Sequence, residues 1–193
     1  MTHPTVPDRR SSPIALALTL LVGAVALMWA AELDDQLLLD ERLDRHGIRP
    51  RELGGLDGVL WAPFLHSGLG HLVANTVPFL VLGGLIALKG GDRFVQVSLG
   101  VMLLGGGAVW LLGRSVVHIG ASGVVFGFLG YLVGAAIFER RLRSIVLGVT
   151  AVVLYGGLVW GLVPTPGVSW ESHLFGGAAG VAVASRVARP EAA

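Results

Sequence analysis

Residues 116–138 read Val-Val-His-Ile-Gly-Ala-Ser-Gly-Val-Val-Phe-Gly-Phe-Leu-Gly-Tyr-Leu-Val-Gly-Ala-Ala-Ile-Phe, a run without a single Asp, Glu, Lys or Arg. A helix needs roughly 20 predominantly apolar residues to cross the hydrocarbon core of a bilayer, and this run is long enough. It carries a serine, Ser122, between Gly120 and Gly123 near one end, followed by Gly127, Gly130 and Gly134. From Gly123 onward these glycines recur at i, i+4, i+7 and i+11, a small-residue stripe on which another helix can pack closely.

The same reading extends outward along the chain. Further apolar runs cover Ile14 to Ala31, about Phe64 to Leu88, Phe94 to Leu112, Ile145 to Val163, and a shorter one from His173 to Ala188. Of the 193 residues 53% are hydrophobic and 14% charged, on the membrane side of the usual soluble composition. The expectation is an all-α membrane protein with six transmembrane helices, residues 14–189 forming the membrane domain between an N-terminal tail (1–13) and a C-terminal tail (190–193). Ile14 to Ala31 has the length of a span, and Met28 and Trp29 spoil a signal-peptidase site near Ala30 and Ala31. A net charge of +1 carries no signal for nucleic acid, and a chain without cysteine has no disulfide and no thiol nucleophile.

Basic residues orient the helices. Arg9 and Arg10 precede helix 1, Lys89 and Arg93 lie between helices 2 and 3, Arg140, Arg141 and Arg143 between 4 and 5, and Arg186 and Arg189 at the end of helix 6. These positions alternate, which predicts both termini in the cytoplasm. Helices 2, 4 and 6 then enter the membrane from outside. The loop from Glu32 to Pro63 is too long to be structureless. Leu33, Leu37, Leu38 and Leu43 among Asp34, Asp35, Asp40, Glu41 and Asp44 predict a short amphipathic helix ended by Gly47 and Pro50, then an interfacial turn through Trp61. A plain solvated acidic loop is the other reading of this stretch.

Three polar motifs sit at the outer ends of helices 2, 4 and 6. His71 and Asn75 share a helical face at i, i+4, so both can donate hydrogen bonds to one point. Ser122 stands near a helix N-terminus, whose N–H groups favour an oxyanion. His173 opens helix 6 with Gly176 and Gly180 at i+3 and i+7, a close-approach face. A neutral histidine is the usual base for a serine, and Phe126, one turn below Ser122, is placed to support its ring. Judged singly, each motif also has a packing explanation, because His, Asn and Ser join membrane helices by hydrogen bonds.

The set resembles the rhomboid family of intramembrane serine proteases. The matching stretches are Phe64-Leu-His-Ser-Gly-Leu-Gly-His71-Leu-Val-Ala-Asn75, Gly120-Ala-Ser122-Gly-Val-Val-Phe126 and His173-Leu-Phe-Gly176-Gly-Ala-Ala-Gly180. The resemblance implies a rhomboid-like six-helix bundle with a catalytic dyad of Ser122 and His173. It also implies an oxyanion hole from the Ser122 N–H, His71 and Asn75, and a loop between helices 1 and 2 lying partly in the outer leaflet. Its substrate would be a single-pass membrane protein, its medium the lipid bilayer, and no cofactor or metal would be needed. A bacterial plasma membrane is the expected location. Asp57-Gly58 stands where the family commonly has Trp-Arg in the 1–2 loop, a departure that touches the loop's anchoring and not the chemistry. Oligomeric state has no signal in the sequence.

Two other classes compete. A non-catalytic rhomboid-like client-binding protein would have no need of both Ser122 and His173. A haem or metal protein would draw on His66, His71, His118 and His173, but no H-E-x-x-H occurs.

Overall fold

The computed structural model describes residues 13–188, so both tails, with Arg9, Arg10 and Arg189, lie outside the described residues. The described chain forms seven α-helices, against the six spans that the sequence predicts: α1 (Pro13–Leu38), α2 (Gly58–Trp61), α3 (Leu69–Ala87), α4 (Gly91–Leu112), α5 (Ser122–Glu139), α6 (Leu142–Tyr155) and α7 (Trp170–Val187). The additional helix, α2, is a single turn inside the long loop. Among the described residues, five segments are long and apolar enough to cross a membrane: α1, α3, α4, α5 and the stretch Leu142–Leu162. The expected sixth span, α7, has the length but carries Glu171, Ser172, His173, Ser185 and Arg186 and falls outside that set.

The predicted amphipathic helix of residues 33–44 is instead the end of α1. No glycine or proline interrupts Ala31 to Leu39, so the helix propagates through its acidic residues. Its 26 residues extend about 39 Å, longer than the roughly 30 Å hydrocarbon core. The helix ends where Asp40 and Glu41 take positive φ, and the Asp35 carboxylate accepts the Leu43 N–H at 2.8 Å.

After α1 the loop runs through short 3-10 turns at Leu43–His46, Leu53–Gly55 and Ala62–Phe64. It is anchored on the C-terminal end of α4. Arg51 donates its backbone N–H to Trp110 O and its guanidinium to Gly113 O at 2.8 Å and Ser115 Oγ at 2.7 Å. A cation there satisfies carbonyls that the C-terminus of α4 leaves unpaired. The Trp110 indole N–H returns a bond to Glu52 O at 2.9 Å.

At the centre is α5, buried on most faces through Val124, Val125, Phe126, Phe128, Tyr131, Leu132 and Ala135. Its glycines admit α7 at backbone distance. A methyl group at Gly176 would collide with Gly123 O, and one at Gly180 with Gly127 O. The expected helix Ile145 to Val163 is regular only to Tyr155; Gly156–Leu162 continues as 3-10 turns, because the pair Gly156-Gly157 weakens α-helical continuity.

Lys89, Arg93, Arg140, Arg141 and Arg143 lie around the C-terminal end of α5, opposite Ser122. Lys89 binds Glu139 at 2.7 Å and Ser144 at 2.8 Å, and the Glu139 carboxylate also accepts the Ser144 hydroxyl. Arg93 donates to Val187 O at 2.9 Å, and Arg143 to Leu88 O. These bonds tie the α3–α4 turn to α5, α6 and α7.

Candidate active site

Ser122 is the first residue of α5. The preceding turn stops helix formation from Val116: Gly120 has φ +106°, in the region that favours glycine. A side chain at Gly120 would also stand 2.7 Å from His71 Cε1 and 2.8 Å from His71 Nε2, so the imidazole edge lies directly on this backbone. The turn is held from the long segment between α1 and α3 at three levels. Ile48 and His118 exchange N–H···O bonds of 2.9 Å, the Gly120 N–H donates to Ala62 O at 2.8 Å, and the Ala121 N–H donates to His66 Nε2 at 3.3 Å. Burial and the neighbouring His71 push the His66 pKa down to about 4, so its ring stays neutral and able to accept that bond.

The His173 Nε2 lies 2.9 Å from Ser122 Oγ, and its Nδ1 lies 2.7 Å from Gly161 O. A carbonyl only accepts, so the proton of a neutral ring is on Nδ1, and the Nε2 lone pair is left to receive the serine proton. The Phe126 ring stacks on the imidazole with centroids 4.2 Å apart and planes within 1°.

His71 and Asn75 project from α3 toward the same space. The Ser67 N–H approaches His71 Nδ1 at 3.4 Å, which leaves the His71 proton on Nε2, the nitrogen beside Gly120. Asn75 is buried and gives one amide hydrogen to His71 O at 2.9 Å, keeping a second for another acceptor. His71, Asn75, Ser122 and His173 all border one cavity of about 700 Å³. The first-turn N–H groups of α5, beginning with Ser122, have no partner within their helix. The arrangement joins a hydroxyl, a base in the accepting tautomer and several N–H donors around one space.

Two polar ties that the sequence does not suggest flank the Ser122–His173 pair. Glu171 pairs with Arg114, whose Nη2 reaches Glu171 Oε2 at 3.0 Å and Val168 O at 2.9 Å. His118, fully buried, donates from Nε2 to Arg114 O at 3.0 Å and accepts the Ser169 hydroxyl at Nδ1. Ser169 Oγ in turn receives the Ser172 hydroxyl at 2.6 Å. The only signal in the sequence was a lone arginine in one outer loop and a lone glutamate at the start of the last helix. The four histidines of the competing metal reading are thus spread over different partners. Among the described residues, no three His, Cys, Asp or Glu side chains gather as metal ligands.

A family model for the rhomboid domain matches residues 55–190. Among curated proteins, uncharacterized protein Rv1337 of Mycobacterium tuberculosis (strain ATCC 25618 / H37Rv) is 43% identical over 183 residues, covering 90% of this chain and 76% of that protein. Uncharacterized protein ML1171 of Mycobacterium leprae is 42% identical over 177 residues, 86% of this chain and 70% of the relative. RHOMBOID-like protein 4 of Arabidopsis thaliana is 32% identical over 121 residues, 61% of this chain and 30% of the plant protein.

Proposed function

The chain belongs to the rhomboid family, and on that premise we propose that it is an intramembrane serine endopeptidase. It cleaves transmembrane segments of membrane proteins near the outer face of the membrane, through a dyad of Ser122 and His173. The observation that carries the reading is the 2.9 Å approach of His173 Nε2 to Ser122 Oγ, with Nδ1 already committed to a carbonyl. Ser122 Oγ bonds to the scissile carbonyl carbon while its proton passes to His173 Nε2. The negative oxygen that develops is held by the Ser122 N–H, His71 Nε2–H and the second amide hydrogen of Asn75. As the C–N bond breaks, His173 returns the proton to the leaving amine, and water then hydrolyses the acyl-enzyme by the same base.

In this reading α1, α3, α4, α5, α6 with its 3-10 extension, and α7 span a bacterial plasma membrane with both termini in the cytoplasm. The substrate is a single-pass membrane protein whose helix unwinds near its outer end, where glycine or other poor helix formers lower the cost of an extended peptide. The test incubates the purified protein with a transmembrane reporter and a fluorophosphonate. Wild type is expected to cut the reporter and to be labelled at Ser122, and Ser122→Ala and His173→Ala to do neither. Equal cleavage by all three would refute the proposal, as would wild type that neither cuts nor is labelled.

A further inference from the structure

Glu171, the acid nearest His173 in sequence, is occupied by Arg114, so the dyad lacks the carboxylate that orients the base in a serine triad. We infer that the backbone carbonyl of Gly161 takes that place, as the positioning partner that holds His173 in its basic tautomer. This inference rests on the Ser122–His173 reading above.

The local sequence frees this carbonyl. Within the 3-10 stretch Gly156–Leu162, Gly161 O would accept from residue 164, but that residue is Pro164, which has no N–H. The ladder ends with the Val163 N–H on Trp160 O at 3.2 Å, and Gly161 O turns to His173 Nδ1 at 2.7 Å. Glycine is needed there for space. A methyl group at 161 would stand 2.9 Å from Phe126 Cζ and 3.0 Å from His173 Nδ1, at the junction of the two stacked rings.

The imidazole is therefore fixed on three sides, by Phe126 on its face, Gly161 O at Nδ1 and Ser122 Oγ at Nε2. Turning the ring over would put C–H groups against both oxygens and forfeit both bonds. When His173 takes the serine proton, Nδ1–H stays on Gly161 O as a charge-assisted bond. The carbonyl never receives the proton.

The test combines kinetics with nitrogen NMR on full-length protein labelled with ¹⁵N-histidine, the His173 signal being identified by its loss in His173→Ala. Wild type is expected to show His173 as the Nδ1–H tautomer. Gly161→Ala, and Pro164→Ala, which restores a competing N–H without the added bulk at 161, are expected to mix the tautomers. Each should lower kcat for the reporter by about 10- to 100-fold with little change in KM. Gly156→Ala is the control, since its methyl group would meet only Val152 Cγ1, at 3.5 Å. Folded Gly161→Ala and Pro164→Ala with wild-type tautomer and kcat would overturn the inference. So would a wild-type enzyme acylated at Ser122 whose His173 carries its proton on Nε2. Wild type that is never acylated but keeps the Nδ1–H signature would instead refute the protease reading, while supporting the Gly161–His173 bond itself.

Discussion

Gly176→Ala adds one methyl group at the point where α5 and α7 touch through their backbones. That methyl would stand 2.8 Å from Gly123 C and 3.2 Å from Gly123 Cα, and closer still to Gly123 O. Carbon contacts are comfortable only at about 3.5–4.0 Å, so the two helices have to separate by roughly 1 Å. Neither neighbour is the flexible end of a side chain, and the strain of such overpacking costs about 1–3 kcal/mol. The chemical cost is larger. Gly123 follows Ser122, and Gly176 lies one turn after His173, so the separation falls on the 2.9 Å contact between Nε2 and Oγ. A misplacement of about 1 Å is worth about 100-fold in rate. Cleavage of a transmembrane reporter in proteoliposomes and the rate of fluorophosphonate labelling should both fall by about that factor, while the protein still folds. Gly84→Ala, at a site with no atom within 4 Å of the added carbon, should leave both unchanged. A folded Gly176→Ala protein within about threefold of wild type in both assays would refute the argument that backbone contact between α5 and α7 sets the dyad distance.

In the proposed mechanism Asn75→Ala removes one of several oxyanion donors, and among the described residues the Asn75 side chain bonds only locally, to His71 O. Reporter turnover should fall by about 10- to 100-fold with thermal stability nearly unchanged; loss of folded protein would assign Asn75 to helix packing instead. Asp44 lies outside the spans, and burial, with Asp35, Glu32 and Glu41 nearby, pushes its pKa up to about 6. A raised pKa means that the folded protein loses stability as pH climbs from the ordinary carboxylate range through 6. Asp44→Asn should therefore raise the thermal midpoint at pH 7.5, and that gain should shrink on acidification toward pH 4; an equal gain at both ends would contradict the assignment. His118→Leu removes one hydrogen bond each from Ser169 Oγ and Arg114 O, which keep Ser172 Oγ and the Val116 N–H as partners, so the cost is that of two lost bonds at about 0.5–1.5 kcal/mol each. Its thermal midpoint should drop by several degrees, and an unchanged midpoint would mean that the tie carries no stability.

Membrane class and helical architecture follow from chain composition alone, because 20-residue apolar runs have few alternatives to a helix across a bilayer. Family resemblance was equally legible, in the order of His71, Asn75, Ser122 and His173 along the chain. Less legible were the boundaries. The end of α1 looked like a separate amphipathic helix, since hydropathy changes at Glu32 while helix propensity does not, and hydrogen bonding continues to Leu38. The unwinding of α6 at Gly156 and the single-turn α2 are illegible in the sequence, being short backbone events without a hydrophobic period.

What the sequence determined by itself was the inventory: which polar side chains there are, and on which apolar segments they stand. Tertiary structure decided how they are connected. That Glu171 pairs with Arg114, that His118 serves Ser169, and that His173 turns its Nδ1 to Gly161 O are contacts between residues 12 to 57 positions apart. No local period encodes such separations. They arise because α5 and α7 meet without side chains between them, and a backbone carbonyl, which every residue possesses, becomes informative only once folding has aimed it.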